Sequence, residues 1–314
     1  MEELYVEAPI RPYMQGDQPA FVSPADLLTL DNSSISKLDD YLPPERTTFL
    51  REGPIYNHGR RDEDDIGYPH VTLTYAQSLD GQIALQPGIQ TLLSGRETKA
   101  MTHYLRTKHD AILVGVGTAN ADDPGLNSRY SHDGRTMVDF GRQPRPFILD
   151  PGKSWKVDTC DKVFDLAKKG LGRAPWWITS ENVYVNEETG KDQACLNKIW
   201  GVGGNHMTAG IYEGRHNGVD WGEILQTMWK TGIRSVMIEG GATVINDLLR
   251  EKNQHFISSV IVTIAPIYLG SGGVVVTPPR TYPHKTEVVL PKRSVRWLPF
   301  GKDIVMACGV GTLE

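Results

Sequence analysis

Residues 110–129, DAILVGVGTANADDPGLNSR, decide the fold of this chain. Ala111 to Val114 run without alternation into two glycines one residue apart, Gly115 and Gly117, followed by Thr118 and then Asp122-Asp123-Pro124. An unbroken apolar run of strand length fits a strand covered on both faces, as in a parallel sheet. Glycines at its end let another group approach the backbone, and free N–H groups there suit phosphate. A tight strand-to-helix turn with Thr118 as a cap accounts for the same residues.

The rest of the chain extends this pattern. Residues 70–76 alternate in strand fashion, Ser94-Gly-Arg-Glu97 matches a capping box before a helix, and strands are expected at 145–150 and 176–179. Residues 181–218 are rich in Gly and Asn and read as an irregular insert. A helix at 221–230 leads to a strand at 234–239, a helix at 242–250 and a strand within 255–268. Residues 285–290 and 303–307 supply closing strands. Helices alternating with strands, then a strand-rich tail, predict an α/β fold: a mostly parallel sheet flanked by helices, with antiparallel C-terminal strands. This unit takes in residues 68–314. Residues 1–67, with Pro43-Pro44, a Ser/Asp-rich patch at 31–40 and a charged run at 60–65, read as an N-terminal extension. It is expected to wrap the surface or stay partly irregular, with local helix near 24–30.

Composition excludes several classes of function. The 314 residues are 39% apolar and 23% charged, ordinary values for a globular protein. A net charge of −5 and no long basic run argue against nucleic acid or acidic membrane as partners. Apolar stretches are strand-sized, so no spanning helix is expected. The N-terminus, MEELYVEAPI, is acidic where a signal peptide is basic. Cys160, Cys195 and Cys308 are far apart and odd in number, which suits a reducing, cytoplasmic compartment and no zinc site.

A second glycine-rich turn, Glu239-Gly240-Gly241-Ala242-Thr243, again joins a strand to a helix. Two such turns on one sheet share its carboxyl edge, where ligands of open α/β sheets bind, and two phosphate cradles suit a dinucleotide. Neither is a Rossmann fingerprint, since Asn120 stands where the third glycine belongs. Glu239 is favoured by a helix dipole and is equally explained as a cap. Asp122-Asp123 lacks a third acidic neighbour for a metal and reads better as a turn or ribose-binding carboxylate. Arg106 and Arg129 match phosphate in their fork geometry, yet as two arginines alone they read as solvated surface. His103 and His109 flank a helix and read as surface or packing residues. No nucleophile motif is present, which fits chemistry carried by a cofactor.

The ordered blocks VTLTYAQSLDGQIA (71–84), LLSGRET (92–98), HYLRTKHDAILVGVGTANADDPGL (103–126), RPFILD (145–150), MIEGGATVINDLL (237–249) and VTIAPIYLG (262–270) resemble the riboflavin-biosynthesis reductase family. The resemblance implies a dihydrofolate-reductase-like fold, NADPH as cofactor, a homodimer, and reduction of a ribosylaminopyrimidine 5′-phosphate at C1′ of the sugar. Bacterial members usually carry a zinc deaminase domain with His-x-Glu and Pro-Cys-x-x-Cys signatures, which are missing here. That points to the stand-alone fungal or archaeal type, acting on 2,5-diamino-6-ribosylamino-4(3H)-pyrimidinone 5′-phosphate. The alternatives are the deaminated uracil substrate of the bacterial type, or NADPH binding without turnover.

The resemblance implies NADPH contacts at Thr118, Asp122, Val219, Gly240, Gly241, Ala242 and Thr243. It implies substrate contacts at Ser94, Arg106, Leu126, Arg129 and Glu239, with the two arginines on the phosphate. Glu239 and Asp122 are the candidates for delivering a proton, and no metal is expected. Thr74 stands where bacterial members usually carry Lys, and Asp80 matches a family hallmark that holds a turn. Lys153 and Ser154 are guesses for a 2′-phosphate contact.

Overall fold

The computed structural model describes residues 23–44, 67–158, 160–180, 190–209, 219–280, 288, 290 and 294–310. The charged run at 60–65 and most of the expected strand at 285–290 lie outside them. In chain order the elements are α1 (Asn32–Ser36), β1 (His70–Gln77), β2 (Gln82–Ala84), α2 (Arg96–Lys108), β3 (Ala111–Gly115) and α3 (Val116–Asp122). Then follow β4 (Arg145–Leu149), α4 (Lys162–Lys168), β5 (Trp176–Thr179), α5 (Gly190–Trp200), β6 (Asn205–Thr208) and α6 (Trp221–Lys230). The last are β7 (Ser235–Glu239), α7 (Ala242–Leu248), β8 (Ser259–Ile264), β9 (Val274–Val275), β10 (Arg296–Phe300) and β11 (Asp303–Gly309).

Nine strands form one sheet in the order β10-β11-β8-β1-β7-β3-β4-β5-β6, and β2 pairs with β9 apart from it. The run from β8 to β6 is parallel; β11 and β10 join antiparallel at one edge. This is the predicted architecture. Its decisive detail is β7, which follows β6 in the chain yet returns to lie between β1 and β3.

Burial explains the lack of alternation in the central strands, because both faces are covered. Leu113 and Ile238 point into one core with Trp221, Leu225, Ile245 and Leu248 of α6 and α7. Ile112, Val114, Ile148 and Trp177 point the other way, onto Phe164 of α4 and Leu196 and Ile199 of α5. A third cluster joins Met237 and Ile261 to Met101, Tyr104 and Leu105 of α2, and it includes Leu38 and Tyr41. The described part of the N-terminal extension therefore contributes core side chains, Leu38 being fully buried.

Four details differ from the sequence expectations. Ser94 does not cap α2: Gly95 is the N-cap without a side-chain bond, and Asp303 of β11 accepts the Gly95 N–H at 2.7 Å and the Thr98 hydroxyl at 2.6 Å. Thr118 lies inside α3, which begins at Val116, so it is no cap. The insert at 181–218 contains α5 and β6. β10 carries Pro299, which a sheet tolerates on an edge strand, and β10 is the edge.

The two glycine turns are brought together by one side chain. A Cβ at Gly115 would lie 2.9 Å from Val244 Cγ2, and one at Gly240 would lie 2.9 Å from Val244 Cβ. Gly115→Ala should therefore lower stability by about 1–3 kcal/mol through overpacking against Val244 Cγ2, an atom that Val244→Ala removes. In a urea-unfolding cycle with Val244→Ala the two changes should couple by about 1 kcal/mol or more. Additive effects would place the strain elsewhere.

Candidate active site

The carboxyl ends of β1, β7 and β3 meet where β7 inserts. Thr74 is in register with Glu239 across β1 and β7, and the turn after β3 abuts the turn after β7: a Cβ on Gly241 would sit 3.1 Å from Thr118 Oγ1. An open sheet leaves a crevice at such a reversal of strand order. A cleft of about 670 Å³ lies there, lined by Ser94, Arg106, Thr118, Asp122, Leu126, Glu239, Gly240, Gly241, Ala242 and Thr243. All but two of the NADPH and substrate contacts that the resemblance implies thus share one cavity of small-molecule size.

Arg106 dominates its floor. Its Nε donates to Glu239 Oε1 at 2.9 Å, Nη2 to Oε2 at 2.7 Å and Nη1 to the Asn127 carbonyl at 2.8 Å. This is a fork-on-fork pair with side chains only 13% and 20% exposed. Two of the five guanidinium N–H donors remain uncommitted among the described residues. Close by, Asp123 (φ 40°) and Leu126 (φ 51°) adopt the left-handed conformation that non-glycine residues rarely take. Strain of this kind gathers at binding sites.

The exceptions are Arg129 and Val219. Arg129 lines a neighbouring hollow of about 310 Å³, which shares Leu92, Ser94 and Lys99 with the cleft. The two arginines therefore do not pinch one point; they face adjoining hollows. Val219 packs against the apolar core and is not in the cleft wall.

The electrostatics are uneven across the site. Burial raises the Asp122 carboxyl above its ordinary value, with Lys162 opposing. Burial pushes the His103 ring well below its ordinary value, and the positive charges of Arg106, Arg129 and Lys99 push it further. His103 Nδ1 accepts the Arg129 N–H at 2.9 Å, which leaves the proton of the neutral ring on Nε2.

Sequence reasoning missed Lys99, Thr102 and His103, all in the cleft wall with Arg106. Their spacing along α2 is 99, 102, 103, 106, one helical face, so a polar stripe of 3.6-residue period was the available signal. His109 is a packing residue: Nδ1 pairs with the Leu105 carbonyl and Nε2 with the Thr72 hydroxyl, each at 2.8 Å. Asp80 holds a turn, accepting N–H groups from Leu269 at 3.2 Å and Gly270 at 2.9 Å. Lys153 pairs with Asp192 at 3.6 Å and Ser154 donates to Asp150, both away from the cleft wall. Thr74 does line the cleft.

The RibD C-terminal domain family matches residues 69–306, so the chain belongs to that family. A 2,5-diamino-6-ribosylamino-4(3H)-pyrimidinone 5′-phosphate reductase from Debaryomyces hansenii is 42% identical over 211 residues, 67% of this chain and 80% of the relative. The protein of the same name from Candida glabrata is 39% identical over 275 residues, covering 86% of this chain and 97% of the relative. Among solved structures, the Saccharomyces cerevisiae riboflavin biosynthesis reductase Rib7 superposes with a TM-score of 0.62 at 31% identity, over 89% of this chain and all of that one.

Removing one member of the Arg106–Glu239 pair strands the other charge in a partly dry site. Glu239→Leu should cost about 2–4 kcal/mol in urea unfolding, whereas Arg106→Met/Glu239→Leu together should cost less than either single change. A double variant as unstable as the sum of the singles would show that the pair is not the source of the loss.

Proposed function

We propose that this chain reduces the ribosyl group of 2,5-diamino-6-ribosylamino-4(3H)-pyrimidinone 5′-phosphate to the ribitylamino product, as an NADPH-dependent oxidoreductase of riboflavin biosynthesis. The observation that carries this reading is the single cleft that unites both glycine turns, Asp122 and the Arg106–Glu239 pair. Family membership and the names of the fungal relatives support the choice of substrate. Residues 68–314 are taken as the reductase domain and 1–67 as its extension, and the working form as a cytoplasmic homodimer. Among the described residues no helix is long and apolar enough to cross a membrane.

The residues fit a dinucleotide. A Cβ at Gly117 would meet nothing within 4 Å, and Gly117 lines the cleft, so this glycine keeps ligand space open rather than relieving a packing clash. Thr118, Asp122 and the Gly240–Thr243 turn are the groups we assign to NADPH. When bound, NADPH supplies the hydride that reduces C1′ of the sugar in its ring-opened imine form.

The chain's own groups then have separate tasks. The Arg106–Glu239 pair fixes the cleft floor and offers the substrate the remaining guanidinium N–H groups. Holding the two reactants in register removes much of the barrier, about 7–11 kcal/mol in the best cases. Opening the sugar breaks its C1′–O bond, the oxygen takes a proton, and one proton is consumed overall. Glu239 accepts from Arg106 through both oxygens and is committed to that pair. Asp122, half-buried and with its carboxyl held above the ordinary range, is the group we assign to proton delivery.

The first test is NADPH oxidation followed at 340 nm with the diaminopyrimidinone phosphate, where a saturable rate is expected. Turnover of the uracil analogue alone would keep the reductase and reassign it to the deaminated substrate; silence with both would leave a nucleotide-binding protein. In the active enzyme, kcat should fall as pH climbs through the raised Asp122 pKa, because the protonated form is the donor. Asp122→Asn should abolish that dependence and lower kcat by about 10²–10³-fold. Gly117→Leu should leave thermal stability unchanged or raised while weakening NADPH binding at least about tenfold in a fluorescence titration, since only ligand space is lost.

A further inference from the structure

The lining of the hollow beside the cleft brings Arg96, Lys99 and Arg129 together with Ala25, Asp26 and Leu28. These last three lie well upstream of residue 69, where the family match begins. No side chain of the three cations has a hydrogen-bond or ion-pair partner among the described residues. Like charges crowded in this way repel one another, so the backbone must hold them. Arg129 is held on both sides: its N–H donates to His103 Nδ1 at 2.9 Å, and its carbonyl accepts the Leu28 N–H at 3.0 Å. The Leu28 carbonyl in turn accepts the Ser131 N–H at 2.8 Å, giving a parallel bridge between Leu28 and Tyr130. Leu38 and Tyr41, sunk in the core, anchor the segment that carries Leu28.

We infer that residues 25–28 are part of the substrate site: they wall the hollow beside Arg129, which the resemblance already assigns to the substrate 5′-phosphate, and hold that arginine in place. This rests on the proposed reading, which supplies a 5′-phosphate attached to a sugar in the adjoining cleft. The hollow adjoins that cleft, the two sharing Leu92, Ser94 and Lys99 in their linings. Three cations partly offset by Asp26 match a dianion, which a neutral sugar hydroxyl would not require. The pyrophosphate of the dinucleotide is assigned to the glycine turns, so it does not compete for this hollow. The N-terminal segment is then a determinant of substrate affinity that lies outside the family's matched region.

The test is a charge change at the two exposed wall positions in the full-length protein. Ala25→Glu should raise the KM for the phosphorylated pyrimidine about three- to tenfold, and Asp26→Asn should lower it about threefold. The KM for NADPH should stay within twofold in both, and both effects should shrink in 0.5 M salt. The dissociation constant of ribose 5-phosphate, measured by calorimetry, should move in the same directions. Values within twofold of the parent for both variants, with the parent turning over its substrate, would overturn the inference. If the parent turns over neither pyrimidine, the functional reading fails, and ribose 5-phosphate binding alone decides the subsite. No binding of ribose 5-phosphate to the inactive parent overturns the subsite as well.

Discussion

One guanidinium holds three remote parts of the chain at a single point. Arg106 reaches from α2 to Glu239 at the end of β7 and to the carbonyl of Asn127 in the loop after α3. It adds to the packing of α2 on Met237 and to the bonds from Ser128 and Arg129 to His103, which tie the same segments together. Charges this far out of water are stabilising only when geometry is good and lone pairs are filled, and here three bonds meet both conditions. The pair links two of the segments that line the cleft. The polar stripe of α2 faces the cleft, and Arg106 is its last member.

Charge in the site is divided rather than pooled. Lys99, Arg106 and Arg129 converge on His103 and make one end positive, while Asp122 sits across the cleft in a setting that disfavours its ionised form. Separation keeps the acid from being drawn into an ion pair, and with Arg106 held by Glu239 it is Lys99 and Arg129 that stay available to an anion. A substrate with a phosphate at one end and a reacting carbon at the other is oriented by such a field before any shape-specific contact is made.

Much of this was legible in the sequence, for identifiable reasons. The strands β3, β4 and β7 carry unbroken apolar runs, and β3 and β7 end in a glycine and a single charged residue, so both their position and their two-sided burial could be read. The glycine turns announced the site. What escaped was whatever depends on a partner remote in sequence. Ser94 satisfies the local capping rule, but Asp303, two hundred positions away, takes the role. β6 reads as polar because it is a short edge strand, and α5 was hidden by the Gly- and Asn-rich residues around it. Arg129 was expected on one phosphate with Arg106, yet it lines a neighbouring hollow beside the N-terminal segment that packs there, and no local pattern encodes that.

The late return of β7 has a consequence for how the protein is made. β3 to β6 are laid down in order and pair with their neighbours as they emerge, but β1 and β3 must wait for residues 235–239 before the gap between them closes. Until then each presents an unpaired edge beside apolar side chains, Val71 and Leu73 on one and Ile112 and Leu113 on the other, the situation in which strands seek the wrong partner. Contacts so distant in sequence form slowly. The cleft, floored by the final residue of that strand, is therefore among the last features to appear during synthesis, and a ligand held there would reward completion of the sheet rather than any earlier step.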